Sequence, residues 1–134
     1  MEPLFEDEYI RISLNHISDC LEVIGKKMNT ETEECEAYFK TIFHFIIKNN
    51  IKKIIFSVEG YNYIGNEQAI NEQFLTFLGN HGVKNFAVIT GKDVSSKTYF
   101  KELYNYTSDV KKQYQIESKH FETMQEAIDW IATK

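Results

Sequence analysis

The stretch "IIFSVEGYNYIGNEQAI", Ile54 to Ile70, starts as an apolar strand. It then crosses a loop with Gly60, Tyr61, Tyr63 and Gly65, and ends at helical spacing. A strand that feeds a helix through a short loop is the repeating unit of a parallel sheet with crossover helices. Open α/β sheets bind ligands and partners beyond the carboxyl ends of their strands, so this loop is the first place to look for a site.

The same unit recurs on either side. Upstream, "YIRISL" sets Ile10, Ile12 and Leu14 on one face and Tyr9, Arg11 and Ser13 on the other, the alternation of a half-buried strand. "NHISD" reads as a turn and "CLEVIG" as a second strand, so the two form an antiparallel hairpin. "TETE" at Thr30–Glu33 has capping-box spacing. It opens a helix with Cys35, Tyr38, Phe39, Ile42, Phe45 and Ile46 on one stripe, ending near Asn49-Asn50. "KKIIFSV" is the third strand.

Downstream, Asn66 caps a helix with Ile70, Phe74, Phe77 and Leu78 on its stripe, closed by Gly79 or Gly82. "NFAVIT" is the fourth strand, "SSKTYFKELYNY" a shorter helix, and Tyr114–Phe121 a fifth strand. "TMQE" at Thr123–Glu126 is a second capping box, opening a helix with Met124, Ala127, Ile128 and Ile131 on one face. The order ββαβαβαβα predicts an α/β fold with a mixed, mostly parallel sheet of about five strands.

Strands buried on both faces are almost wholly apolar, and these are not. Ile54, Phe56 and Val58 alternate with Lys53, Ile55 and Ser57, while Phe86 and Val88 alternate with Asn85, Ala87 and Ile89. The pattern predicts helices mainly on one face. It leaves Ile24, Ile55, Ala87 and Ile89 on a second, mixed face as a candidate homodimer surface. The competing expectation is that the N-terminal segment or a displaced helix folds over that face.

Composition narrows the function. The 134 residues fit one domain spanning 1–134, and 43% hydrophobic and 14% aromatic content excludes a disordered chain. Net charge is −5, and residues 1–36 hold ten acidic side chains against three basic. A single arginine, Arg11, and no basic stripe argue against nucleic-acid binding. Cys20 and Cys35 sit among apolar residues and read as reduced core thiols. No apolar run reaches the roughly 20 residues of a membrane span, and "MEPLFEDEY" lacks a signal peptide's pattern, so a cytoplasmic protein is expected.

The element order, with "YIRISLN…CLEVIGKKM", "IKKIIFSVEG" and the closing "FETMQEAIDWIA", resembles the STAS domain and its SpoIIAA-like and CRAL-TRIO relatives. The resemblance implies a SpoIIAA-like fold and a regulatory module that docks a protein partner. STAS regulators carry an Asp-Ser-Ser/Thr-Gly motif after the third strand, with a serine that a partner kinase phosphorylates. The corresponding "EGYNYIGNEQ" has neither serine, threonine nor aspartate, so a phosphate switch lacks its acceptor hydroxyl.

For the site itself, Glu59, Tyr61, Asn62, Tyr63 and Gly65 line the loop beside the helix N-terminus at Asn66. The plainer reading is that the tyrosines cover the sheet end and the glycines serve turns. "TGKDVSS" places Gly91 and Lys92 in a neighbouring loop. That spacing hints at an anion, against a simple helix cap by Asp93 or Ser95.

His16, His44, His81 and His120 show no metal-ligand spacing, and no nucleophile elbow or dinucleotide fingerprint occurs, so no catalytic, metal or cofactor site is expected. Three readings follow. The first is a non-enzymatic module that docks a protein partner or itself. The second is a small apolar-ligand or lipid-binding domain of CRAL-TRIO type. The third is an unrecognised hydrolase, requiring a Ser–His pair assembled in space.

Overall fold

The computed structural model describes residues 1–26, 32–57, 67–91 and 108–134, with side chains over 1–26, 36–57, 72–91 and 109–134. Along the chain run β1 (Glu2–Glu6), β2 (Ile10–Asn15), β3 (Cys20–Gly25), α1 (Thr32–Asn49) and β4 (Lys53–Ser57). They are followed by α2 (Glu67–Asn80), β5 (Asn85–Ile89), α3 (Ser108–Tyr114), β6 (Glu117–Phe121) and α4 (Met124–Ala132). One sheet holds all six strands in the order β1-β2-β3-β4-β5-β6. The first three pair antiparallel and β3 to β6 pair parallel.

The sheet therefore has one strand more than the sequence pattern predicts. "EPLFE" carries a proline and two glutamates around two apolar residues, too little alternation to read as a strand. At a sheet edge that composition is tolerated. β1 pairs with β2 across a register shift between Pro3 and Phe5. The connecting turn is held by the Asp7 carboxylate, which accepts from the backbone N–H of Tyr9 at 2.7 Å and of Ile10 at 2.8 Å.

The second difference is α3. Its sequence, "SDVKKQY", has only Val110 and Tyr114 to face the core, so periodicity does not reveal it, and the following strand starts at Glu117 rather than Tyr114. The expected helix over 95–106 and the Asn66 cap lie outside the described residues.

Two cores flank the sheet. On the first face, Ile10, Ile12, Leu21, Val23, Ile54, Phe56 and Val88 meet Phe39, Ile42 and Ile46 of α1 and Phe74, Leu75 and Leu78 of α2. Between the helices the rings form a continuous stack. Phe43 lies 3.7 Å from Phe77 and 5.7 Å from Phe74, centroid to centroid, and Phe39 lies 4.8 Å from Phe74. Where α2 meets α3, the backbone at Gly79 comes so close to Tyr114 that a Cβ there would overlap the ring.

On the second face, α4 lays Ala127 and Ile131 over Cys20, Ile55, Ala87 and Ile89. This corrects the expectation that Ile55, Ala87 and Ile89 lie uncovered as a dimer surface, because all three are buried within the chain. The polar neighbours do not exclude a helix. Lys53 lies around its C-terminal end: Lys53 Nζ donates to the Lys134 carbonyl at 3.3 Å, and Lys134 pairs with Glu117 at 3.1 Å. Ile24 stays half-buried. Among the described residues, three helices thus pack on one face and one on the other. The N-cap half of the expected capping box at α4 forms, Thr123 Oγ1 accepting from the Glu126 N–H at 3.3 Å, while its hydroxyl donates to Glu126 Oε1 at 2.9 Å.

Candidate functional site

Parallel pairing brings the exits of β4 and β5 side by side, with Ser57 opposite Ile89. The segments containing residues 59–66 and 91–92 therefore leave neighbouring strands at the same end of the sheet. Gly91 has a left-handed backbone, φ 71°, a conformation glycine takes without a Cβ penalty. Before it, the buried Thr90 donates its N–H to the Phe121 carbonyl at 2.9 Å, which ties the start of this loop to the end of β6. Glu59, Tyr61, Asn62, Tyr63, Gly65, Asn66 and Lys92 lie outside the described residues. The sequential strand order has no reversal, so the crevice that a topological switch point creates in doubly wound sheets has no counterpart here.

The four histidines are dispersed. His16 meets Glu2 Oε1 at 3.0 Å, His44 stands edge-on to the Phe45 ring, and His81 Nδ1 donates to the Phe77 carbonyl at 3.0 Å. His120 lies on β6 facing the first core. Ser57 faces the other side of the sheet, sharing the face of Ile89 and Phe121. The sheet thus separates Ser57 from His120.

Sequence reasoning missed two polar groupings. In the first, Lys111 of α3 is buried and its Nζ donates to Ser118 Oγ at 3.4 Å. Burial pulls its pKa down to about 8. His120, two residues beyond Ser118 on the same face, is held below the usual histidine range, by burial first and by the Lys111 charge second. The signal available in sequence is a lysine placed five residues before the buried Ile116, where a helix ends and a strand begins.

The second grouping lies on the α4 side of the sheet. Ser13, Glu22 and Ser57 occupy three adjacent strands there and are all buried. Ser13 is the direct cross-strand partner of Glu22, and Ser57 pairs with Ile24, one same-face step along β3. Asn15 Nδ2 donates to Glu22 Oε2 at 2.7 Å. Asn15 is itself fixed by the hairpin turn, its Oδ1 accepting from the N–H of Ile17 at 3.0 Å and of Ser18 at 3.2 Å. Alternation places Glu22 on this face, but its burial depends on tertiary cover that periodicity does not report. Nearby, the buried Cys20 thiol contacts Ser18 Oγ at 3.3 Å, and burial pushes its pKa up, away from thiolate chemistry.

No family model matches the chain, and no curated protein matches it. A solved structure does: an uncharacterised protein of the DUF3478 family with a SpoIIAA-like fold, from Shewanella loihica PV-4. The two align with a TM-score of 0.61 at 16% identity, covering 96% of this chain and 98% of that one. At that identity the likeness speaks for the fold alone. The chain has a SpoIIAA-like fold, as the element order implies.

Proposed function

We propose that this chain is a non-enzymatic, STAS-like interaction module that docks a protein partner at the carboxyl end of its parallel strands, through residues 59–66 and 91–92. The observation that carries this reading is the adjacent exit of β4 and β5, with Ser57 beside Ile89 at one end of the sheet. Loops presented by a rigid scaffold are the usual carriers of recognition. Tyr61 and Tyr63 bring large side chains with a polar tip, the kind enriched at interfaces.

The apolar-ligand reading has less support. A lipid site needs an open apolar cavity beneath the helices. Here the aromatic faces of α1 and α2 stack on each other and fill that space between them. Among the described residues no helix is long and apolar enough to cross a membrane.

A photo-crosslinking amino acid placed at Tyr61, and in a second protein at the exposed hairpin residue Ile17, tests the proposal in host cells. One discrete protein adduct is expected from position 61, reduced by Asn62→Ala, with none of that mass from position 17. Identical adduct patterns from both positions would refute docking at this end of the sheet. A small retained molecule in native mass spectrometry would favour the ligand reading instead.

A further inference from the structure

None of the five residues of β1 is buried, and the strand joins the sheet through β2 alone. Its register skips Leu4, which lies between Pro3 opposite Ser13 and Phe5 opposite Ile12. The skip turns Leu4 and Phe5, neighbours in sequence, to the same first core. Exposed ion pairs fasten the two ends of the strand, Glu2 with His16 at 3.0 Å and Glu6 with Lys26. Pairs so exposed add little to stability. The reversal into β2 takes only Asp7, Glu8 and Tyr9, with the Asp7 carboxylate holding the N–H groups of Tyr9 and Ile10. Glu6, Asp7 and Glu8 crowd like charges into that tight turn. Beneath β1, by contrast, β2 pairs with β3 in unbroken register from Ile10 to Asn15.

We propose that two copies of this chain exchange β1: residues 7–9 straighten, and each β1 lies along the β2 of the other copy in a two-fold dimer. The edge itself selects the occupant. Ile12 stands opposite Phe5, and His16 and Lys26 stand ready for Glu2 and Glu6, so the β1 of a second copy remakes each contact that the first gives up. Only the turn differs between the two states. Straightening it releases the Asp7 hydrogen bonds and spreads the crowded carboxylates. Exchange of an identical element is a low-cost route to a dimer for this reason, since the interface already exists within one chain. The exchange uses no residue of 59–66 or 91–92, so it stands apart from the docking reading.

Native mass spectrometry of the full chain, unfolded in guanidinium, refolded at high protein concentration and then diluted, tests this. The wild type should keep a discrete dimer after dilution, with no larger species, because separating the copies requires both β1 strands to be released. Glu6→Lys and Lys26→Glu each set like charges against one another within a single chain. In a dimer of one of each, exchange restores an opposite pair at both edges. An equimolar mixture refolded together should therefore give the mixed dimer in several-fold excess over random association. Lys48→Glu makes the same charge change on the exposed end of α1, and in place of Lys26→Glu it should give no excess. A wild type that is wholly monomeric after refolding, a mixed dimer at the random proportion, or an equal excess with Lys48→Glu would overturn the proposal.

Discussion

Gln115 has a left-handed backbone, φ 58°, and so do Asn50 at 52° and Gly82 at 79°. Each ends a helix in the same way. The residue after it donates to a carbonyl five positions back: Ile51 to Ile46 at 3.1 Å, Val83 to Leu78 at 2.9 Å, Ile116 to Lys111 at 2.9 Å. The left-handed residue itself donates three back, which completes a Schellman motif at all three helix ends. The next residue, Ile51, Val83 or Ile116, is buried and leads into a strand. Glycine and asparagine signal such an ending in sequence and glutamine does not, which is why α3 was not legible. The left-handed region costs a residue with a Cβ about 1 kcal/mol, so Gln115→Gly should stabilise the protein by about that amount in urea unfolding. Loss of stability would show that the Gln115 side chain contributes more than its backbone strain costs.

Lys111 supplies a pH dependence at the same helix end. Burial disfavours its ammonium form, so the folded pKa of about 8 lies below the ordinary 10.5. Between those values the unfolded chain binds the extra proton, and stability rises with pH. The penalty is full below the folded value and relieved as pH approaches 10.5. Lys111→Met should remove this rise, so its urea midpoint should exceed that of the wild type most near pH 7.5, with the gap closing by about pH 10. A gap that stays constant with pH would mean that Lys111 keeps its ordinary basicity in the fold.

Among the elements, α4 shows both the reach and the limit of sequence patterning. Its capping box and its stripe of Met124, Ala127, Ile128 and Ile131 are plain in the sequence. Its destination is not. Alternation separates the two faces of β4 and β5 correctly but does not say what lies over each. The second face mixes Ile55, Ala87 and Ile89 with Lys53 and Asn85, and such a mixture suits a solvated interface as well as a narrow helix contact. Ala127 and Ala87 in this core are both small and leave little bulk between helix and sheet, and Lys53 meets the helix at its C-terminal end. Ile55→Glu therefore places a charge inside an intramolecular core, beneath α4, where removing or opposing such packing costs several kcal/mol. Circular dichroism should find this variant largely unfolded, with Tyr9→Glu on the exposed surface behaving as the wild type. A well-folded Ile55→Glu that sediments as a smaller species than the wild type would restore the dimer surface and place α4 elsewhere in solution.

At the scale of the whole molecule, the fold class and the order of β2, β3, α1, β4, α2, β5, β6 and α4 were readable because each of these elements carries its own periodicity, which β1 and α3 lack. The candidate site was less readable. A loop such as residues 59–66 has no period, and the buried Glu22 strip depends on contacts between strands far apart in sequence. The sheet's edges belong to this scale too, and they bear on why the chain needs β1. A sheet of six strands in sequential order leaves two edges, β1 and β6. Exposed edges invite pairing with other chains, and charges or proline blunt them. β6 carries Glu117 and Lys119, while β1 carries Glu2, Pro3 and Glu6 with a register shift. Behind β1 lies β2, whose Ile10 and Ile12 are fully buried and whose backbone runs in unbroken register with β3. Without β1 this regular strand becomes the edge, and it has neither proline nor shift to interrupt pairing. A chain starting at Asp7 should therefore be less stable, through loss of Leu4 and Phe5 from the first core, and should self-associate. Sedimentation velocity should show its mean size growing with concentration under conditions where the full chain's stays constant. A truncated chain whose size is as insensitive to concentration as the full-length protein's would mean that β1 serves the core by burial and does not guard the edge.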